Sequence, residues 1–233
     1  MQKTDSRIIV ALDYPVASEA IQFVDQVSPS LCRLKIGKEL FTAAGPELVR
    51  SLVARGYDIF LDLKFHDIPN TVNKAIRAAA QLGVWMVNVH ALGGRDMMVA
   101  AKQAIDEFDG EAPYLIAVSV LTSTNQQGLN EIGINKTPVQ SVMDLTALAL
   151  DCGLDGMVCS AQEVESIRAQ FGQDPLLVTP GIRPAGSDSN DQQRIMTPLQ
   201  AIAAGSSYLV IGRPITTHAN PVAQLESINQ SLA

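Results

Sequence analysis

The sequence is short of several residue types, and each shortage excludes a class of protein. Three of its 233 residues are cysteine and three are histidine, and neither set has the spacing of a metal-binding motif. An odd cysteine count also does not suit a disulfide framework, so we expect buried free thiols. The 17 Lys and Arg residues are outnumbered by 24 Asp and Glu and form no basic stripe, which argues against a nucleic-acid partner.

Long apolar runs are missing as well. No stretch approaches the ~18 residues that a membrane-spanning helix needs, so no membrane association is expected. No signal-peptide pattern precedes the first strand-like run, and the cytoplasm is the expected location. A Gly-x-Gly-x-x-Gly motif does not follow that run either, which weakens a dinucleotide-binding interpretation. Hydrophobic residues still make up 47% of the chain, as in a globular domain with a large core.

Short, β-branched apolar runs alternate with amphipathic segments along the chain. The predicted strands span about residues 7–13, 31–37, 58–64, 85–91, 113–121, 156–160, 176–182 and 207–213. The predicted helices span 17–27, 39–55, 70–82, 96–108, 138–152, 161–171, 198–204 and 221–231. Near-continuous apolar strands are typical of a parallel sheet covered by helices. Eight strand–helix units therefore predict an α/β fold, a (β/α)8 TIM barrel that forms a single domain over residues 1–233.

Polar residues interrupt these strands at their carboxyl ends. They are Asp13, Lys35, Asp62, Lys64, His90, Thr122, Arg183 and Arg213. In a barrel, the carboxyl ends of all strands meet at one mouth, where active sites are built. The pattern predicts a functional site at that mouth.

The third strand carries the sharpest local feature. Side chains alternate along a regular strand, so Asp62 and Lys64 would point the same way, about 6–7 Å apart. An ammonium group beside a carboxylate is tolerable in a confined site, and Asp67 follows on the adjoining loop. A structural ion pair at a strand end is the alternative, and spacing alone does not decide. His66 and His90 are further candidates, although histidines at strand ends are often structural.

Two strings near the end of the chain each run from a strand through glycine and arginine to proline. They contain Arg183 in one case, and Gly212 with Arg213 in the other. Glycine permits close approach of a ligand to the backbone, and arginine grips phosphate with a bidentate fork. The loops after strands 7 and 8 are the usual phosphate site of such barrels. The alternative is two surface arginines in turns.

These motifs resemble those of the orotidine 5′-phosphate decarboxylase family, bacterial type. The matching strings are residues 9–13 (IVALD), 35–37 (KIG), 62–71 (DLKFHDIPNT), 179–183 (TPGIR) and 211–213 (IGR). They occur in order across essentially the whole chain. The resemblance implies a lyase that converts orotidine 5′-monophosphate to uridine 5′-monophosphate (UMP) and CO2, the last step of de novo UMP synthesis. It also implies that neither a cofactor nor a metal takes part.

The resemblance further implies a role for each matching residue. Lys64 would stabilise and then protonate a C6 carbanion, with Asp62, Asp67 and Lys35 completing the catalytic set. Asp67 and Thr71 would act across a homodimer interface. The implied substrate-binding residues are Asp13, Lys35, Asp62, Thr71, Thr122, Arg183, Gln192, Gly212 and Arg213.

Two other functions stay open from the sequence. One is a related phosphosugar-binding barrel enzyme, of the hexulose-phosphate synthase or epimerase type, which commonly needs a metal. The other is a nucleotide-binding barrel without catalysis, against which the intact set Asp62, Lys64 and Asp67 argues.

Overall fold

A computed structural model of the chain describes residues 4–184 and 196–232. Eight parallel strands form a closed barrel in chain order, with the first strand paired to the eighth. They are β1 (Ile8–Ala11), β2 (Arg33–Gly37), β3 (Ile59–Phe65), β4 (Met86–His90), β5 (Tyr114–Val118), β6 (Gly156–Val158), β7 (Leu176–Thr179) and β8 (Tyr208–Ile211). The predicted TIM barrel is confirmed.

Helices surround this barrel. They are α1 (Ala17–Val24), α2 (Lys38–Ala54), α3 (Pro69–Ala80), α4 (Gly94–Asp106), α5 (Gln126–Glu131), α6 (Pro138–Asp151), α7 (Val164–Phe171), α8 (Pro198–Ala203), α9 (Arg213–Thr216) and α10 (Pro221–Ser231). Helix α2 is kinked, because Gly45 has a φ of 69° and Pro46 follows it. The sequence did not predict the short helices α5 and α9, both of which lie on loops that leave the barrel mouth.

Local chemistry explains where several helices begin. Pro138, Pro198 and Pro221 open α6, α8 and α10, where the first turn needs no N–H donor. Thr137 and Thr197 precede two of these prolines and form capping boxes with the third helical residue. These signals fix the residue at which each of the three helices begins.

The core has an inner and an outer part. Ile9, Phe60, Met86, Ile116 and Val210 pack together inside the barrel. The alternate residues of the same strands pack with the helices in a larger outer cluster. Because side chains alternate along a strand, the inward phase continues toward the mouth and carries polar residues there.

Two further sequence expectations concern the described residues. The cysteines Cys32, Cys152 and Cys159 are buried and free, as predicted. Within residues 4–184 and 196–232, no helix has the length and apolar character that crossing a membrane requires.

Candidate active site

The barrel mouth contains a cavity of about 390 Å³. Its polar side is formed by Lys35 from β2, Asp62 and Lys64 from β3, and Thr122 from the segment after β5. Its apolar side includes Phe60, Val118, Val120, Val158, Cys159 and Val210. A smaller cavity of about 170 Å³ shares the first three polar residues and adds Asp13, Gly37 and Lys38. The mouth therefore offers an apolar slot with charge on one side, which suits a flat, polar ring.

Four charged side chains form an array of alternating sign at the mouth. The Lys64 Nζ lies 2.6 Å from Asp62 Oδ1, and the Lys35 Nζ lies 3.5 Å from Asp62 Oδ2. Lys35 also donates to Asp13 Oδ1 at 3.2 Å. The side chains of Lys35 and Asp62 are only 11% and 12% exposed, whereas that of Lys64 is 27% exposed. The array thus ends in an ammonium group that a ligand in the cavity can reach.

The backbone of Lys64 is strained. Its φ of 52° is the only positive value at a non-glycine residue in the described part of the chain. Such left-handed geometry costs roughly 1–2 kcal/mol in an L-residue and tends to mark functional sites. A regular strand is what the sequence predicts here. Instead, the β3–β4 register shifts between Leu61 and Phe65, and the irregularity brings the Lys64 ammonium onto Asp62.

Asn88 on β4 is a site residue that the sequence analysis missed. Its Nδ2 donates to Asp62 Oδ1 at 2.7 Å, and its Oδ1 accepts the Lys64 backbone N–H at 2.8 Å. The residue is fully buried. A signal was present in the sequence, since Asn88 is a polar residue in phase with the inward-facing Met86.

The two arginines after β7 and β8 are electrostatically coupled. Burial lowers the pKa of Arg183, and the positive charge of Arg213 lowers it further. Arg183 donates to its neighbouring carbonyl at Ile182, and its buried Nε has no hydrogen-bond partner in the described part of the chain. Two guanidinium groups close enough to repel each other favour binding of an anion. Gln192, predicted to contact the phosphate, lies outside the described residues.

Gly212 lies between the arginine site and the charged array. A Cβ placed on Gly212 would come within 3.7 Å of Asp13 Oδ2 and 3.6 Å of Ala11. The end of β8 therefore lies beside the outermost carboxylate of the array. A single ligand could contact Gly212 and Asp13 together.

The structure does not bring every predicted residue to this mouth. Thr122 lines the larger cavity; Arg183, Gly212 and Arg213 line neither cavity, and nor do Asp67 and Thr71. Both are exposed on the segment between β3 and the first turn of α3. The Asp67 carboxylate accepts the N–H of Ile68 at 2.7 Å.

His66 and His90 stack at the edge of the site, with ring centroids 5.6 Å apart. Burial lowers the pKa of His90, and the nearby charges of His66, Lys64 and Lys38 lower it further. At neutral pH, His90 is therefore a neutral ring whose Nδ1 accepts the N–H of Leu92.

No three His, Cys, Asp or Glu side chains within 4–184 and 196–232 are grouped so that they could hold a metal ion.

A closed parallel barrel with a charged cavity at the carboxyl ends of its strands is the architecture of a (β/α)8-barrel enzyme.

Comparison with known proteins narrows this class. The model of the orotidine 5′-phosphate decarboxylase / HUMPS family matches residues 6–228. A protein of Glaesserella parasuis named orotidine 5′-phosphate decarboxylase is 59% identical over 229 residues, which is 98% of this chain and 100% of the relative. One of the same name from Vibrio parahaemolyticus is 57% identical and covers 98% of each chain.

A solved structure supports the same family assignment. The crystal structure of orotidine 5′-phosphate decarboxylase from Lactobacillus acidophilus has a TM-score of 0.88 and 38% identity, and it covers 97% of this chain and 99% of its own. The chain belongs to the orotidine 5′-phosphate decarboxylase / HUMPS family, as its motifs predicted.

Proposed function

We propose that the array of alternating charges carries out the decarboxylation of orotidine 5′-monophosphate and that Lys64 is its central group. The overall reaction, which gives UMP and CO2, is confirmed by relatives of that name with more than half of their residues identical. The observation that carries the assignment of roles is the Lys64 ammonium, held 2.6 Å from Asp62 at the wall of the cavity.

The chemistry requires a cation at the reacting carbon. When the bond from C6 to the carboxylate breaks, its electron pair stays on C6 in the plane of the pyrimidine ring. A preorganised ammonium group at that position stabilises the developing charge. Lys64 then transfers a proton to C6, forms the C–H bond of UMP and recovers its proton from solvent. One group therefore serves both steps.

The remaining members of the array hold that ammonium and the substrate. Asp62 orients Lys64 and lies beside the substrate carboxylate in this proposal. Lys35 offsets the charge of Asp62, so that neither buried group is left unpaired. Lys35 and Asp13 bind the ribose hydroxyls at the smaller cavity, and Thr122 contacts the pyrimidine.

Arg183, Arg213 and Gly212, with Gln192, form the proposed phosphate site. Burial lowers the pKa of Arg183 and the charge of Arg213 lowers it further, and a bound phosphate would offset both the desolvation and the repulsion. The phosphate would bind far from C6. Its binding energy can therefore position the pyrimidine ring and lower the free-energy barrier to decarboxylation.

The proposed working unit is a cytoplasmic homodimer in which each chain, residues 1–233, acts as one domain without a cofactor. Asp67 and Thr71 would reach the site of the partner subunit. This is supported by the exposed position of both side chains. Ile68, 66% exposed between them, is a large apolar side chain of the kind that interfaces cover.

One assay tests the proposal against its rivals. Purified protein is mixed with orotidine 5′-monophosphate and a chelator, and loss of the orotate absorbance is followed. The proposal predicts decarboxylation at an unchanged rate with and without the chelator. A metal-dependent reaction on a sugar phosphate instead would favour the phosphosugar enzyme. Binding of UMP without release of CO2 would favour a non-catalytic barrel.

A further inference from the structure

The irregular stretch of β3 leaves a gap in the ladder with β4. Leu61 pairs with Val87 and Phe65 pairs with Val89, so three residues of β3 lie opposite one residue of β4. That single residue is Asn88. Its side-chain oxygen accepts the backbone N–H of Lys64, which a regular ladder would have paired with a backbone carbonyl group.

The two hydrogen bonds of Asn88 have different targets. The Asn88 Oδ1 accepts the backbone N–H of Lys64, the residue with the left-handed φ. The Asn88 Nδ2 donates to Asp62 Oδ1. The orientation of the amide is dictated by these partners. The reverse orientation would place two donors together and an oxygen against a carboxylate.

Asp62 Oδ1 also accepts the Lys64 ammonium, at 2.6 Å. Asn88 thus contacts Lys64 in two ways. It binds the Lys64 backbone directly, and it binds the Asp62 carboxylate that orients the Lys64 side chain. Asn88 is fully buried and does not line either cavity. It cannot contact a substrate there, so any effect on the reaction must pass through Lys64 and Asp62.

We propose that Asn88 is a positioning residue, which keeps Lys64 in its left-handed backbone conformation and fixes the Asp62 carboxylate so that the ammonium points into the cavity. The inference rests on the proposed role of Lys64. A displacement of about 1 Å at a reacting group costs roughly 100-fold in rate, and removal of both hydrogen bonds is expected to have an effect of this size on kcat.

The first test compares Asn88→Ala with Ser119→Ala. Ser119 is also fully buried beyond a barrel strand, and its hydroxyl donates to the Val158 carbonyl at 3.0 Å. We expect Asn88→Ala to lower kcat by roughly 100-fold while KM and the Kd for UMP change less than about threefold. Ser119→Ala should keep kcat within about threefold, because its hydroxyl does not contact the array.

Two results of this comparison would overturn the inference. One is a kcat within about threefold of wild type in Asn88→Ala. The other is a fall in kcat matched by equal losses in UMP affinity and Tm, which a merely structural role would produce. If the wild-type enzyme did not decarboxylate the substrate at all, the proposed function would fail instead. The two failures are therefore distinct.

Asn88→Asp gives a second readout if the alanine variant does not fold. The new carboxyl group still accepts the Lys64 N–H. When ionised, it repels Asp62, and when protonated, it can donate as the amide does. The charged and titratable groups around it are Asp62 and Lys64 on β3, with Lys35 beyond Asp62 and His90 on its own strand. On its other side, β5 presents the apolar Ile116.

Burial and Asp62 both oppose ionisation of the new carboxyl group. The kcat of Asn88→Asp relative to wild type should therefore rise several-fold as the pH falls from about 8 to about 5.5. Division by the wild-type value at each pH removes the titration of groups that both enzymes share. A ratio that stays flat or falls with decreasing pH would refute the inference.

Discussion

The two ends of the barrel both hold buried charge, and they use it differently. At the amino end, Arg33 lies 4.6 Å from the ring centroid of Trp85 and 5.0 Å from that of Tyr208. Its guanidinium donates to the carbonyls of Ser6 and Thr4 and lies 3.2 Å from Asp58. This cation is enclosed by aromatic rings and backbone and closes the barrel.

At the carboxyl end, the charges are shared among partners rather than enclosed. Asp62 serves Lys35 and Lys64 at once, the Lys64 backbone is strained, and the array borders a cavity. A buried ion pair by itself therefore does not indicate function. Charged side chains that border a cavity and sit on a strained backbone do indicate function. Such a backbone conformation lowers stability, and it persists only where the surrounding structure holds it in place.

The largest expected effect comes from removing the ammonium at the mouth. Lys64→Ala should lower kcat by about 10⁴-fold or more, since both electrostatic stabilisation and proton transfer are lost. Its Tm should stay close to that of wild type. Lys102→Ala is the control, because Lys102 is 28% exposed and also pairs with an aspartate, Asp106. A near-normal kcat in Lys64→Ala would mean that the charge at the carboxyl end of the barrel, like that at the amino end, is not needed for the reaction.

The next effect concerns the phosphate site. Arg213→Ala should lower kcat/KM by roughly 10²–10³-fold, because a charge-assisted contact to the substrate is lost in both the ground and the transition state. Arg50→Ala, which removes an exposed arginine paired with Glu47 on α2, should leave kcat/KM unchanged. Steady-state kinetics on orotidine 5′-monophosphate measure both. Equal kcat/KM in wild type and Arg213→Ala would count against the phosphate assignment.

The opposite outcome is expected at the amino end. Arg33→Met should lower the free energy of unfolding by about 3 kcal/mol, because Asp58 loses its buried partner, and should leave kcat of the folded enzyme within about threefold. Arg50→Met, at an exposed pair, should cost less than about 1 kcal/mol. Urea unfolding and kinetics separate the two quantities. A large fall in kcat without loss of stability would show that this end also serves the reaction.

The smallest effect is expected from the thiols. Burial raises the pKa of Cys32 to about 12, and burial also raises that of Cys159, which borders the cavity. Both are protonated and unreactive at neutral pH. Iodoacetamide at pH 8 should therefore leave activity unchanged, with all three cysteines alkylated only after unfolding. Rapid inactivation of the native enzyme would mean that the cavity wall opens.

The fold was predictable because periodicity reports burial. Alternating strands and amphipathic segments indicated the eight units, and the polar strand ends indicated the mouth. Helix α5 was missed because its six residues include Gly128 and have little apolar periodicity. Helix α9 was missed because its four residues were interpreted only as a phosphate-binding loop.

The finer geometry of the site could not be predicted in the same way. The rule of alternation assumed a regular strand, and no local signal marks the shift of register at Lys64. Asn88 acts through contacts between strands that are distant in sequence. Asparagine is depleted in strands, so its presence in β4 was a hint that propensity alone does not interpret.

In the proposed mechanism, the Lys64 ammonium meets the electron pair at C6. The most direct test of this step omits decarboxylation: deuterium from D2O is followed into C6 of UMP, since the same group must remove the C6 proton in the reverse direction. We expect exchange catalysed by the wild-type enzyme and none above the buffer rate with Lys64→Ala. Equal exchange by the two enzymes would contradict it.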